Sequence, residues 1–75
     1  MIFEKVRDMI ASQLQMDAAS ITPESRLVED LRADSANVMV MILELESEFG
    51  LEVEDEVIIN LKTVGDVVKY IESHQ

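Results

Sequence analysis

Val38, Met41, Ile42, Leu45 and Phe49 recur at intervals of three and four residues, which places them on one face of an α-helix. Gly50 follows directly, and glycine commonly closes a helix in the left-handed conformation. Asp34 and Ser35 stand in front, and either side chain can cap the open amides of a first turn. A helix from about Ser35 to Phe49 is therefore predicted. It is more apolar than one buried face requires, because Val38 to Leu43 are all apolar. Met39, Val40 and Leu43 point away from the core stripe, together with Ala36, Glu46 and Ser47. A chain of 75 residues cannot enclose one helix on every side. Part of this second stripe is expected to meet solvent or to line a cleft.

The rest of the chain supplies what that helix packs against. Phe3, Val6, Ile10 and Leu14, widened by Met9, predict an amphipathic helix over 2–16. Glu4, Lys5, Arg7, Asp8 and Gln13 take its other face. Residues 17–32 form a long connection holding the sole proline, Pro23. Ile21, Leu27, Val28 and Leu31 are its expected anchors to the core, and Thr22-Pro23-Glu24 reads as the opening of a short helical turn. After the linker "LEVED", Glu56 to Asn60 predict a brief third helix. Thr63 caps a last helix, with Asp66 three residues later completing a shorter capping box. Val64, Val67, Val68 and Ile71 form its apolar face. "LEVE" and "EVIIN" leave room for short strands, but neither is long enough to build a sheet. The expected fold is all-α: a small bundle of three main helices plus one short helix, with a long loop between helices 1 and 2. It forms a single domain over 1–75. The chain has no Cys and only Phe3, Phe49 and Tyr70 as aromatics. The core must therefore be aliphatic and methionine-rich, and an apolar content of 48% is enough for that.

Charge narrows the function. The formal net charge is −10, which repels phosphate backbones and argues against nucleic-acid binding. The longest apolar runs fall far short of a membrane span, so no membrane insertion is expected. "MIFEKVRDMI" lacks the features of a signal peptide. With no Cys, this points to the cytoplasm, or to an organelle after removal of a transit peptide. No basic residue lies between Arg32 and Lys62, while Glu44, Glu46, Glu48, Glu52, Glu54, Asp55 and Glu56 crowd the middle of that interval. Solubility alone does not require such segregation. A docking surface for partners with basic patches is expected.

Ser35 is the candidate for chemistry. As a cap it contributes about 1 kcal/mol, but Asp34 can do the same, and the position three residues beyond Ser35 is Val38, which cannot reciprocate. A Ser at a helix N-terminus is also well placed to carry a phosphate ester, because the open amides and the helix dipole favour an anion there. A hydrolytic nucleophile would need a base and an orienting group. The only His is His74, next to the C-terminus, and neither a G-x-S-x-G nor an S-x-x-K motif occurs. No catalytic residues are assigned, and no enzyme activity is expected. The acids lack EF-hand spacing, so no specific metal site is expected.

The stretch "LVEDLRADSANVMVMILELESEFGLEVEDEVIINLKTVGDVVKYI" resembles an acyl carrier protein. The resemblance rests on Asp-Ser at the start of the second helix, "EDL" before it, "LE.EFG" after it and "TVGDVVKYI" downstream. It extends to the loop sequence "ITPESRLVEDL" and covers nearly the whole chain. It implies that Ser35 carries 4′-phosphopantetheine, transferred from coenzyme A by a phosphopantetheinyl transferase, with Asp34 helping to position the site. It further implies acyl groups held as thioesters on the arm's thiol, in fatty-acid or related acyl biosynthesis. Partners would be acyl-transferring and acyl-processing enzymes, meeting a monomer at Ala36, Asn37, Met39, Val40, Leu43, Glu46, Ser47, Glu54 and Glu56. Met39, Leu43, Val53, Ile58 and Leu61 are candidates to line an acyl pocket, although each can also be plain core. The sequence also departs from the family pattern. Ala36, Asn37 and Val40 stand where family members in fatty-acid synthesis usually have Leu, an acid and Glu. Arg32 stands where a Gly is frequent. These departures keep a specialised carrier, of polyketide, aminoacyl or D-alanyl type, as an alternative. A non-covalent helical interaction module is the alternative of a different class.

Overall fold

The computed structural model describes residues 2–74. Four α-helices follow in order: α1 (Ile2–Leu14), α2 (Ser35–Phe49), α3 (Asp55–Asn60) and α4 (Val64–Ser73). No strand forms among the described residues; Arg26 and Thr63 make one isolated antiparallel bridge.

α1 stops before the expected residue 16. Gln15 takes a left-handed conformation (φ 54°), and the Met16 amide donates back to the Ala11 carbonyl at 3.0 Å. That pattern closes a helix whether or not a glycine is present. α2 ends in the same way at Gly50 (φ 65°), with the Leu51 amide reaching the Glu46 carbonyl. α3 begins one residue earlier than expected, at Asp55.

α1 packs against α4 and α2. Val6 and Ile10 are sealed against Met41, Ile42 and Leu45 of α2 and Val64, Val67 and Ile71 of α4. Each such side chain, taken from water, contributes about 1.5–3 kcal/mol. Val38 and Phe49, expected in the core, are half-buried at its edge. α3 buries no residue completely and rests on Ile58 and the neighbouring Leu61.

The loop between α1 and α2 is ordered by its own hydrogen bonds. It contains a short 3-10 helix, Ala18–Ser20, capped by the Asp17 carboxylate, which accepts from the Ala19 amide. The expected helical turn at Thr22-Pro23-Glu24 is a single tight turn instead. The Ser25 amide donates to the Thr22 carbonyl, and the buried Ser25 hydroxyl accepts from the Thr22 amide at 3.0 Å. Ile21 and Leu27 anchor the loop as expected, and Ala33 joins them. Val28 does not, being 61% exposed.

Three backbone bonds stitch this loop to the start of α4. Leu27 N donates to Lys62 O at 2.9 Å, Val64 N to Ser25 O at 3.0 Å and Gly65 N to Pro23 O at 2.8 Å. The Asp66 carboxylate accepts from the Lys62 and Thr63 amides, while the Thr63 hydroxyl accepts from Asp66 N. The seam holds the α3–α4 junction beside the loop that leads into α2.

Candidate functional site

Ser35 is the first residue of α2 and is exposed. Asp34, not Ser35, is the cap. Its carboxylate accepts from the Asn37 amide at 2.8 Å, and the Asn37 side-chain oxygen accepts from the Asp34 amide at 3.4 Å. Counted from Asp34, the reciprocal partner absent three residues beyond Ser35 is present as Asn37. The consequence is chemical. With Asp34 and Asn37 serving the helix end, the Ser35 hydroxyl makes no hydrogen bond to the described residues and faces solvent.

Ser35 also lies on the lining of an open groove of about 600 Å³. Leu27, Val38, Met39, Ile58 and Leu61 give it apolar walls, and Arg26, Glu29 and Lys62 are the charged residues of its lining. Two exposed apolar side chains, Val28 and Ile59, complete it. An exposed apolar surface of this kind beside a free hydroxyl suits an apolar ligand tethered there.

The structure sorts the expected pocket residues. Met39, Ile58 and Leu61 line the groove with Ser35. Leu43 and Val53 do not. Leu43 is 61% exposed on the outer side of α2. Val53 lines a separate, shallow cleft with Glu46, Ser47, Leu51, Glu52 and Glu54. Helical geometry explains the first difference: Leu43 is four residues from Met39 but turned further around the axis from Val38, which lines the groove. Val53 is drawn aside because its amide donates to the Glu46 carboxylate at 2.7 Å.

The same bond gives Glu46 a structural task, tying the linker before α3 to α2. Of the other expected partner residues, Ala36, Met39, Val40, Leu43 and Ser47 are exposed along α2. Asn37 is half-buried in the cap, and Glu54 and Glu56 are exposed at the start of α3.

Arg26 is the hub of an ion-pair cluster on the lining of this groove. It binds Asp30 through Nε and Nη2, at 3.1 and 3.0 Å, and Glu29 through Nη1 at 2.6 Å. The Asp30 carboxyl is held below the usual carboxylate range by hydrogen bonds from the Arg26 side chain and amide, and the Arg26 guanidinium is shifted up in turn. A basic residue four before an acid was a visible signal; its closure of the groove wall was not.

A family model describing the phosphopantetheine attachment site matches residues 4–71. The chain is 49% identical to the acyl carrier protein of Helicobacter pylori strain G27, over 99% of its own length and 95% of the relative's. The chain belongs to the acyl carrier protein family. Identity to the acyl carrier protein of Clostridium acetobutylicum is also 49%, over 99% and 96% of the two chains. The solved structure of the acyl carrier protein from Enterococcus faecalis superposes with a TM-score of 0.85, at 39% identity, over 99% of this chain and 94% of that one.

Acyl carrier proteins are carriers and not enzymes, and this one has 4′-phosphopantetheine as its covalent cofactor and tethers acyl groups on it. It is served by a transferase and by acyl-processing enzymes. The residues present fit the group: an exposed hydroxyl, with no hydrogen-bond partner among the described residues, at the positive end of a helix and on an apolar groove. Among the described residues, no helix is long and apolar enough to cross a membrane.

Proposed function

We propose that Ser35 Oγ carries the phosphopantetheine ester and that the apolar groove receives the acyl chain. The observation that supports this most is the division of labour at the start of α2. Asp34 and Asn37 satisfy the helix end and leave the adjacent hydroxyl uncommitted. Loading forms one O–P bond at Ser35, breaks the pyrophosphate bond of coenzyme A with 3′,5′-adenosine diphosphate as the leaving group, and releases the serine proton to the transferase or to water. Once bound, the group supplies a terminal thiol that holds acyl groups as thioesters, chemistry that a chain without Cys cannot offer. Met39, Ile58 and Leu61 then shelter the apolar chain, and Asp34 fixes the backbone from which Ser35 projects.

Fatty-acid assembly is the pathway we favour, with partners that bring basic patches to the acidic α2–α3 face. A net charge of −10 and the exposed Glu54 and Glu56 support this. The specialised-carrier reading draws on one observation. The first two turns of α2 expose Ala36, Met39 and Val40 rather than acids, so a partner docking there needs apolar contact.

The test is intact mass after incubation with coenzyme A and a phosphopantetheinyl transferase. One added arm on the native chain, and none on Ser35→Ala, is the expected result. No addition, or addition that persists in Ser35→Ala, overturns the assignment.

A further inference from the structure

The chain has three arginines. Arg7 pairs with Asp8, and Arg26 pairs with Glu29 and Asp30. Among the described residues Arg32 pairs with nothing, although the chain carries 16 acids. Arg32 is exposed and sits in the left-handed region (φ 59°). That conformation costs a side-chain-bearing residue about 1–2 kcal/mol, and backbone strain of this kind concentrates at functional positions.

The acids nearest in sequence are already engaged: Glu29 and Asp30 pair with Arg26. No acid occupies the first turn of α2. The Asp34 carboxylate is turned to the Asn37 amide. Lys62 lines the same groove as Ser35. Arg32 precedes Ser35 by three residues, so their α-carbons are at most about 11 Å apart, within reach of a long side chain. An anion esterified to Ser35 would meet the helix dipole on one side and this unpaired guanidinium on the other.

We propose that Arg32 is a positioning residue for the phosphodiester on Ser35. It pairs with the phosphate once the arm is attached and holds the proximal end of the arm against the start of α2. The inference rests on Ser35 being the attachment residue. It adds that this chain has placed a phosphate partner in the segment leading into the helix.

The experiment compares apo protein with protein loaded from coenzyme A, as native chain, Arg32→Lys, Arg32→Gln and Lys62→Gln. Arg32→Gln keeps a side chain at the strained position and removes only the charge. Loading is checked by intact mass. The first readout is the Arg32 Nε–Hε NMR resonance, expected to shift between apo and loaded native protein at low salt and to lose that shift in 0.5 M salt, for which screening is about twice as short-ranged as at physiological strength. The second is the difference in Tm between loaded and apo forms. An exposed ion pair moves it by about 1–8 °C, so this difference should shrink by that amount in Arg32→Gln and persist in Arg32→Lys. An unmoved Nε–Hε resonance, an unchanged Tm difference in Arg32→Gln, or an equal loss in Lys62→Gln overturns the proposal. A loaded Ser35→Ala, or no loading of any chain, instead overturns the assignment of Ser35, and the inference falls with it.

Discussion

Gly65 offers a sharp test of how the site is held. It is the second residue of α4, where alanine would ordinarily be preferred by up to about 1 kcal/mol. A Cβ built there, however, would stand 2.9 Å from the carbonyl oxygen of Pro23. That oxygen is the acceptor of the 2.8 Å bond from Gly65 N, and it belongs to backbone that cannot swing aside like a side-chain end. Gly65→Ala must therefore push the Pro23 turn away. The cost is that hydrogen bond and part of the adjacent Val64–Ser25 bond, about 1–3 kcal/mol together, offset by up to about 1 kcal/mol of helix propensity. Taken at the middle of each range, the net loss of about 1.5 kcal/mol corresponds to a fall in Tm of about 6–12 °C for a domain of this size. Thermal unfolding followed by circular dichroism measures it. Because the seam carries the groove wall, amide shifts should also move at Arg26, Leu27 and Thr63. A Gly65→Ala variant as stable as the native chain, or more so, would refute the reasoning.

Other perturbations separate the remaining contributions. Asp34→Ala removes the α2 cap and should cost about 0.5–2 kcal/mol in urea unfolding; no loss would mean that the Asp34–Asn37 pair is dispensable. Arg32→Gly relieves the left-handed backbone and should stabilise the apo chain by about 0.5–1 kcal/mol, net of the freer unfolded chain, whereas a lower urea midpoint would show that the conformation is not strained. The crowded acids repel one another, so Tm should rise between low and moderate salt; a flat or falling curve would mean that they are better paired than the contacts indicate. Asp30 titrates below the ordinary carboxylate range because of Arg26. Its stabilising effect is thus complete above about pH 4 and is lost as pH falls through the lowered folded value. The stability gap between the native chain and Asp30→Asn should close on acidification in that window, and a constant gap would contradict the pairing.

Helix periodicity made the three main helices legible, because each carries its own apolar stripe, and α2 and α4 add a recognisable cap or closing glycine. The loop was less legible. Its order comes from bonds between Pro23, Ser25 and Leu27 and residues near Lys62 to Gly65, partners about 35–42 positions away whose pairing leaves no local signature. Val28 looked like an anchor by type, yet its backbone register turns it outward. The excess apolar residues of α2, Met39, Val40 and Leu43, are all exposed, where part of that stripe was expected to meet solvent or line a cleft. Which of them line the groove depended on α3, which is placed by Ile58 and Leu61 resting on the core together with the Val53–Glu46 bond. Ser35 was legible from its motif. The reason its hydroxyl is free was not, because the cap is shared between Asp34 and Asn37, one position earlier than Ser35 suggested.

The most direct measurement is tandem mass spectrometry of the chain purified from the cells that make it. The account predicts a phosphopantetheine ester on the peptide containing Ser35, with an acyl thioester on part of the population. An unmodified Ser35 throughout, or the arm on another residue, would contradict it.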